Sequence, residues 1–264
     1  PLLHHEFSLE ECGKSGWRRD WYRQIALGRT AGLIVASREL ERMAVESWSQ
    51  PRNRVHRIEP GIDLAAFERP PRPDFLPLLV KHADEFWIGT CLAQEPAESL
   101  LSLTRIFART PDKWQLVVLG EGVDRARIEH ETERLGIEHR VHLLGDNASH
   151  KEVFGLFDIF VVAPDGGQSS LTAIEAMAAG LPIVARSAGD IADLVSDRNA
   201  RYIVPPGDEG GFGDCLAELV ESPDERRAVG EANRQMAKER FARERMVERY
   251  RRLYAATMGA VPPR

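Results

Sequence analysis

Residues Asp165–Arg186 read DGGQSSLTAIEAMAAGLPIVAR, and this stretch decides the fold. It predicts a polar loop and a short helix, which Ser169 or Ser170 can cap by accepting a hydrogen bond from a backbone N–H. Gly180 supplies a left-handed stop to that helix. Leu181–Ala185 is an apolar run too short for a helix and typical of a parallel strand covered on both faces.

The predicted helix has one apolar face, which carries Leu171, Ile174 and Ala178. Unpaired N–H groups and the helix dipole favour an anion at the start of the helix. Glu175 lies about one turn further on. A carboxylate beside an anion site is unsuited to the anion itself but suited to ribose hydroxyls.

The stretch resembles the donor-site motif of the family-4 glycosyltransferases of GT-B fold, which is written Glu-x7-Glu and followed by Ala-Met-Ala-x-Gly-x-Pro-Val. The run EAMAAGLPIV, which starts at Glu175, matches the second half of that motif. The resemblance implies that Glu175 binds the ribose of a nucleotide sugar. It also implies that the backbone amides of Ser169, Ser170 and Leu171 face the diphosphate, with Thr172 in the same site.

The resemblance also points to catalytic residues. Gly167 stands where the family has the first glutamate, and Asp165 is the expected substitute. The family often has a histidine after an early strand, in contact with the donor sugar. Of His4 and His5 we expect His5 to hold this place, and the alternative is a pair of ordinary, partly exposed histidines.

A predicted strand, Gln115–Leu119, ends in Gly120-Glu121-Gly122. Arg125 occupies the place of the third glycine of a dinucleotide fingerprint, which makes a dehydrogenase a poor alternative. The resemblance implies instead that Gly120 and Gly122 line the donor pocket.

The arginine and lysine with which the family binds the diphosphate are missing. Reading IGTCLAQEPAES without gaps puts Ala93 in place of the arginine and Glu98 in place of the lysine. Losing one preorganised donor commonly costs about 3 kcal/mol of transition-state stabilisation. Two interpretations follow: a divergent transferase that draws its cation from Arg105 or Arg125, or a degenerate, non-catalytic nucleotide-sugar-binding domain.

The order of predicted strands and helices alternates, which indicates an α/β fold with parallel sheets. By resemblance, residues 1–63 are the end of an acceptor-binding Rossmann-like domain whose first strands are absent. Residues 64–84 are a proline-rich linker, 85–240 a donor-binding Rossmann-like domain of GT-B type, and 241–264 a helix that crosses back to the first part.

Composition narrows the class of protein. The chain has 264 residues, a net charge of -6 and three cysteines, which disfavours a nucleic-acid partner and a disulfide framework. We expect a cytoplasmic protein. The basic helix Trp17–Leu27 can make a peripheral contact with the inner face of the membrane, and the alternative is a core helix with a solvated charged face.

The resemblance as a whole implies a retaining glycosyltransferase of polysaccharide biosynthesis. It would use a UDP- or GDP-sugar as donor and a glycan or lipid-linked acceptor, with no metal ion and no cofactor besides the nucleotide-sugar substrate.

Overall fold

Two parallel sheets organise the chain. The computed structural model describes residues 1–6, 17–67, 76, 79–91, 97–120, 124–145, 150–162 and 170–259, and within these the side chains of residues 17–22, 97, 150, 151 and 170 are not described. The chain divides into two units, Pro1–Ile62 with Arg240–Arg264, and Asp63–Glu239. The assignment of acceptor and donor domains to these units stays a prediction.

The strands, in chain order, are β1 (Leu3–Glu6), β2 (Gly32–Val35), β3 (Val55–Arg57), β4 (Phe86–Cys91), β5 (Trp114–Leu119), β6 (Val141–Leu144), β7 (Ile159–Val161), β8 (Ile183–Arg186) and β9 (Ile203–Val204). The helices are α1 (Trp17–Gly28), α2 (Arg38–Glu46), α3 (Ala97–Phe107), α4 (Arg125–Leu135), α5 (His150–Val153), α6 (Ser170–Ala178), α7 (Ile191–Leu194), α8 (Glu209–Glu221), α9 (Pro223–Arg240) and α10 (Arg243–Met258). None of the helices in the described part of the chain combines the length and the apolar character needed to cross a bilayer.

In the first unit, three parallel strands lie in the order β1-β2-β3. Ser37 caps α2, since its Oγ accepts from the Leu40 N–H at 3.1 Å. The start of α10 is tied to the end of this unit's first segment, because the Ile62 N–H donates to the Phe241 carbonyl at 2.9 Å and Ile62 accepts from the Arg243 N–H at 3.0 Å.

Helix α1 differs in part from the expectation. The sequence has Trp17, Trp21 and Ile25 at i, i+4 and i+8, which predicts that they share the apolar face of an amphipathic helix. Ile25 is nevertheless 45% exposed, whereas Leu27 is buried. The helix therefore packs through a face that includes Leu27. The side chains of Trp17 and Trp21 lie outside the described residues.

In the second unit, six parallel strands lie in the order β6-β5-β4-β7-β8-β9. This is the doubly wound Rossmann order, in which the chain winds outward from β4 and then restarts on its other side at β7. The α/β fold with a Rossmann-like parallel sheet is therefore confirmed. Its core includes Ile88 and Val118 of the strands, Phe107 of α3 and Phe212 of α8, all buried.

The stop after α6 is confirmed, and the strand that follows begins later than expected. Gly180 has a φ of +78°, the left-handed conformation predicted for it. The Leu181 N–H donates to the Ala176 carbonyl at 3.0 Å and so closes the helix. Leu181 is thereby committed to the helix end, and β8 starts only at Ile183.

Buried amides fix this junction to α9. Asn199 accepts from the Ile183 N–H at 2.7 Å and donates to the Ile183 carbonyl at 2.8 Å. Asn233 donates to the Leu181 carbonyl at 2.8 Å and to the Asn199 Oδ1 at 2.7 Å. Because both amides are fully buried, losing either would leave polar groups without partners.

The backbone of α9 also touches that of Gly180. A Cβ added at Gly230 would lie 2.0 Å from the Gly180 carbonyl oxygen, so Gly230→Ala forces the backbones apart. We expect the substitution to lower the free energy of unfolding by about 1–3 kcal/mol or more, the usual cost of overpacking. Urea denaturation monitored by circular dichroism measures it.

Gly213→Ala in α8 is the matched control, because its added Cβ would meet nothing nearer than Ile106 Cγ2 at 3.8 Å. An alanine there should leave stability unchanged or raise it, since alanine is the better helix former. Equal urea midpoints for the two variants would contradict the close contact between α9 and Gly180.

Candidate functional site

The candidate site lies at the carboxyl edge of the six-stranded sheet, where the strand order reverses between β4 and β7. Ligands of open α/β sheets bind outside the carboxyl ends of the strands at such a switch point. Strand β4 leads into α3, which begins at Ala97, and β7 leads into α6, which begins at Ser170. Two helix N-termini therefore open at the same edge, and helix N-termini favour anions.

Helix α6 presents a partly accessible stripe. Thr172 and Glu175 are half-buried, whereas Ala173 and Ile174 are buried. Leu171 is 41% exposed, whereas Ile174 and Ala178, which share its predicted apolar face, are buried. Leu171 and Glu175 are four residues apart and share a helix face, which places the leucine on the accessible stripe.

Glu175 lies about 7.5 Å along the axis from the first residue of α6, at 1.5 Å per residue. Its half-buried side chain is on the stripe that begins at the switch-point edge. A carboxylate set back from the helix N-terminus by this distance leaves the terminal N–H groups to an anion. It can itself accept hydrogen bonds from a neutral polyol such as ribose.

Gly120 directly follows β5 at the same edge. Its φ of +107° lies in a region that residues with a Cβ rarely adopt, so the chain turns here in a way that requires glycine. Gly120 thus follows a strand that ends at this edge, and Leu171, Thr172 and Glu175 belong to a helix that begins there. Ser170 begins α6, but its side chain is not described.

Three predicted site residues, Asp165, Gly122 and Ser169, lie outside the described residues, as do Ala93 and Gly167. Their roles stay predictions.

His5 lies in the first unit, on β1. Its ring stacks on that of Tyr250 of α10, with centroids 5.5 Å apart and planes 2° from parallel. Burial, and then the neighbouring charge of His4, lower the pKa of His5, so the neutral imidazole is favoured. The spacing of Met246, Tyr250 and Tyr254 predicts that they share an inward face of the last helix. The pairing of the Tyr250 ring with that of His5 does not follow from the sequence.

The two arginines considered as replacement cations are engaged elsewhere. Arg105 Nε contacts Glu131 Oε1 at 2.7 Å. Arg125 donates to the Leu143 carbonyl at 3.0 Å and lies 3.7 Å from Glu129.

Sequence reasoning missed Arg127. It lies in the first turn of α4 and contacts Glu98, in the first turn of α3, at 2.5 Å. The signal was available, because two successive helices that follow adjacent parallel strands start at the same edge of a sheet.

The family of this chain follows from its sequence. The profile described as "Glycosyl transferases group 1" matches residues 89–236. The chain belongs to this family.

The individual relatives of this group 1 glycosyl transferase described next share less than a third of their aligned residues with it. It is 27% identical over 140 residues to N-acetyl-alpha-D-glucosaminyl L-malate synthase of Bacillus anthracis, a match that covers 53% of this chain and 37% of that enzyme. It is 24% identical over 224 residues to the GDP-mannose-dependent alpha-mannosyltransferase of Mycobacterium tuberculosis, covering 83% of this chain and 55% of that protein. The chain therefore spans about half the length of these curated relatives or less.

Among solved structures, the chain is similar to Anabaena HepE in complex with UDP and glucose. The TM-score is 0.79 at 18% identity, and the match covers 98% of this chain and 72% of HepE. Sucrose-phosphate synthase from Thermosynechococcus elongatus gives a TM-score of 0.78 at 22% identity, over 98% and 68% of the two chains. These likenesses confirm the α/β fold of GT-B type.

An ionic cluster joins α3 to α4 near the site. Hydrogen bonds from Arg134 and Arg105 lower the pKa of Glu131 from 4.5 to about 2. A carboxyl with a lowered pKa stabilises the fold above its unfolded pKa, and this contribution fades as the pH falls toward the folded pKa. We expect Glu131→Gln to be less stable than the parent at pH 7, with the difference shrinking from about pH 4.5 downward.

Urea denaturation at a series of pH values from 7 to 3 measures this difference. Glu133→Gln, at an exposed position of the same helix, is the matched control and should follow the parent at each pH. A stability gap between parent and Glu131→Gln that stays constant down to pH 3 would contradict the assigned role of the cluster.

Proposed function

We propose that this chain binds the donor of a retaining family-4 glycosyltransferase and belongs to an enzyme that moves a sugar from a nucleotide sugar to a glycan or lipid-linked acceptor. The group 1 family supports glycosyl transfer. The relatives support an enzyme that transfers a sugar. The resemblance of the EAMAAGLPIV run to the family-4 motif supports transfer with retention of the anomeric configuration.

One observation carries the proposal: Glu175 is accessible on the stripe of α6 that starts at the switch-point edge. In this position its carboxylate can accept hydrogen bonds from both ribose hydroxyls. The diphosphate then lies toward the N-terminus of α6, where the amides of Leu171 and Thr172 belong to the first turn. Gly120 allows the chain after β5 to pass close to the nucleotide.

The chemical task of such a site is to stabilise the leaving nucleoside diphosphate. Negative charge grows on the diphosphate as the bond to the sugar breaks, and preorganised donors stabilise it without reorganising at that moment. Helix N-terminal amides are donors of this kind. We propose that the sugar lies beyond the diphosphate. Asp165 and His5 stay the predicted catalytic residues.

The donor nucleotide is uridine or guanosine diphosphate in this proposal. HepE is seen in complex with UDP, and the mycobacterial relative is named as GDP-mannose-dependent. No metal ion takes part in the proposed reaction, which needs no cofactor besides the substrate. Contact with a membrane surface stays a prediction from the basic helices.

No observation favours the non-catalytic alternative. Both curated relatives named above are enzymes. The argument for decay was the loss of the family's arginine, lysine and first glutamate at Ala93, Glu98 and Gly167. Of these positions only Glu98 is described, and Arg127 contacts it.

Glu175→Ala tests the ribose contact. Removing a charged hydrogen-bond acceptor should weaken binding of UDP or GDP by about 1.5–3 kcal/mol, which is roughly 10- to 150-fold in Kd. Isothermal titration of the parent and the variant with both nucleotides measures this loss.

Glu231→Ala is the control, since that exposed glutamate of α9 pairs only with the nearby Arg234 among the described residues. It should bind nucleotide like the parent. If Glu175→Ala also retains the parent's affinity, Glu175 does not hold ribose. If the parent binds neither nucleotide at millimolar concentration, the donor-site proposal is wrong as a whole.

A further inference from the structure

The first turn of α3, at the diphosphate end of the proposed site, carries a negative charge where the family has a positive one. Strand β4 ends at Cys91 and α3 begins at Ala97. The gapless reading of the sequence puts Glu98 in the place of the family's lysine. Glu98 is in the first turn of α3, and its side chain is 67% exposed. A carboxylate alone at this point would repel a diphosphate.

Arg127 offsets this charge. Its Nη2 donates to Glu98 Oε1 at 2.5 Å, from the first turn of the adjacent helix α4. The hydrogen bond to Glu98 raises the pKa of Arg127, so the guanidinium stays charged. The Arg127 side chain is 49% exposed. Within the described part of the chain, its Nε and Nη1 have no acceptor, which leaves donors for a ligand.

The described contacts of three other arginines near this edge are with groups away from the start of α3. Arg105 is in the third turn of its helix and contacts Glu131, and Arg125 contacts the end of β6. Arg186 is buried and lies 3.5 Å from Glu209 of α8. Of these four arginines, Arg127 is the one that contacts the first turn of α3 in the described part of the chain.

Two buried hydroxyls mark the same place. Thr90, next to the end of β4, and Ser99, in the first turn of α3, are buried, and within the described residues neither hydroxyl has a hydrogen-bond partner. Thr90 is two residues after Ile88, which shares a core cluster with α3, so both side chains face that helix. Buried polar groups normally find partners, and here the described residues do not supply them.

We propose that Arg127 provides the cation for the donor's diphosphate and that Glu98 positions its guanidinium over the start of α3. The inference rests on the proposed function and names a residue outside the family's motif. Arginine suits the task because its planar fork can bind a carboxylate on one edge and phosphate oxygens on the other. Charge compensation between α4 and α3 thus replaces the lysine that the chain lacks.

Titration with UDP, GDP, uridine and guanosine tests the proposal, since only the nucleotides carry the diphosphate. Arg127→Ala should weaken binding of the nucleotide that the parent prefers by about tenfold or more, and leave the nucleoside unchanged. Arg127→Lys keeps the charge without the fork and should fall between the two. Arg227→Ala is the control, since this exposed arginine of α9 pairs with Asp224 of its own helix, and it should bind like the parent.

A rescue variant tests the positional claim. Glu98→Lys in the Arg127→Ala background puts a lysine where the family has one and should restore most of the lost nucleotide affinity. A merely structural role of the Glu98–Arg127 pair predicts no rescue, because the double variant cannot re-form the pair.

The outcomes separate this inference from the proposed function. If Arg127→Ala binds nucleotide within about twofold of the parent while Glu175→Ala does not, Arg127 is not the cation, although the donor site stands. If nucleotide and nucleoside lose affinity equally in Arg127→Ala, its role is structural and the inference is wrong. If the parent binds neither nucleotide at millimolar concentration, both proposals fail together. Circular dichroism of each variant serves as the control for an intact fold.

Discussion

The reversal of strand order between β4 and β7 is the constraint on which the second unit depends. A parallel strand needs a crossover connection to its neighbour, and right-handed crossovers that run outward from one line in both directions leave a crevice at that line. The helices that follow the two central strands then begin on either side of it. The sheet order thus fixes where an anionic ligand can bind before any side chain is considered.

Packing at the far end of α6 holds that geometry in place. The helix ends in a left-handed glycine whose carbonyl touches the backbone of α9, and two buried asparagines hydrogen-bond the chain on both sides of the start of β8. Each buried amide satisfies backbone groups that would otherwise lack partners. The position of Glu175 is therefore set by contacts at the opposite end of its helix as well as by its own turn.

The charge at the carboxyl edge of the six-stranded sheet depends on pairs of residues from neighbouring helices more than on single residues. The first turn of α3 carries a glutamate, and the first turn of α4 supplies an arginine to it at 2.5 Å. Deeper along the same pair of helices, Glu131 binds Arg105 and Arg134. The α3–α4 contact therefore alternates acid and base, and its outermost pair is the one that borders the proposed diphosphate position.

The sequence predicted those elements whose limits depend on local signals. The sequence predicts a helix at Arg125–Leu135 and a strand at Val141–Leu144, and α4 and β6 have these bounds. Asp124 caps the helix, and Gly136 ends it in the left-handed conformation. Leu181 was assigned to the strand but closes the helix, since an apolar residue can belong to a helix stop as well as to a strand. Such choices depend on tertiary partners, which periodicity does not reveal.

The site was predicted only in part for the same reason. Glu175 and the start of α6 could be found because they lie in one contiguous motif. The pairing of Glu98 with Arg127 joins residues 29 positions apart, and the stacking of His5 on Tyr250 joins the two ends of the chain. Contacts of this range follow from topology, so sequence reasoning could place the residues at one edge but could not pair them.

The most direct test of the account is a crystal structure of this chain with UDP or GDP bound. We expect nucleotide density at the carboxyl edge between β4 and β7. The ribose hydroxyls should lie within hydrogen-bond distance of the Glu175 carboxylate, and the diphosphate should lie at the N-terminus of α6. Nucleotide bound at the amino edge of the sheet, or at the carboxyl edge with its ribose away from α6, would contradict it.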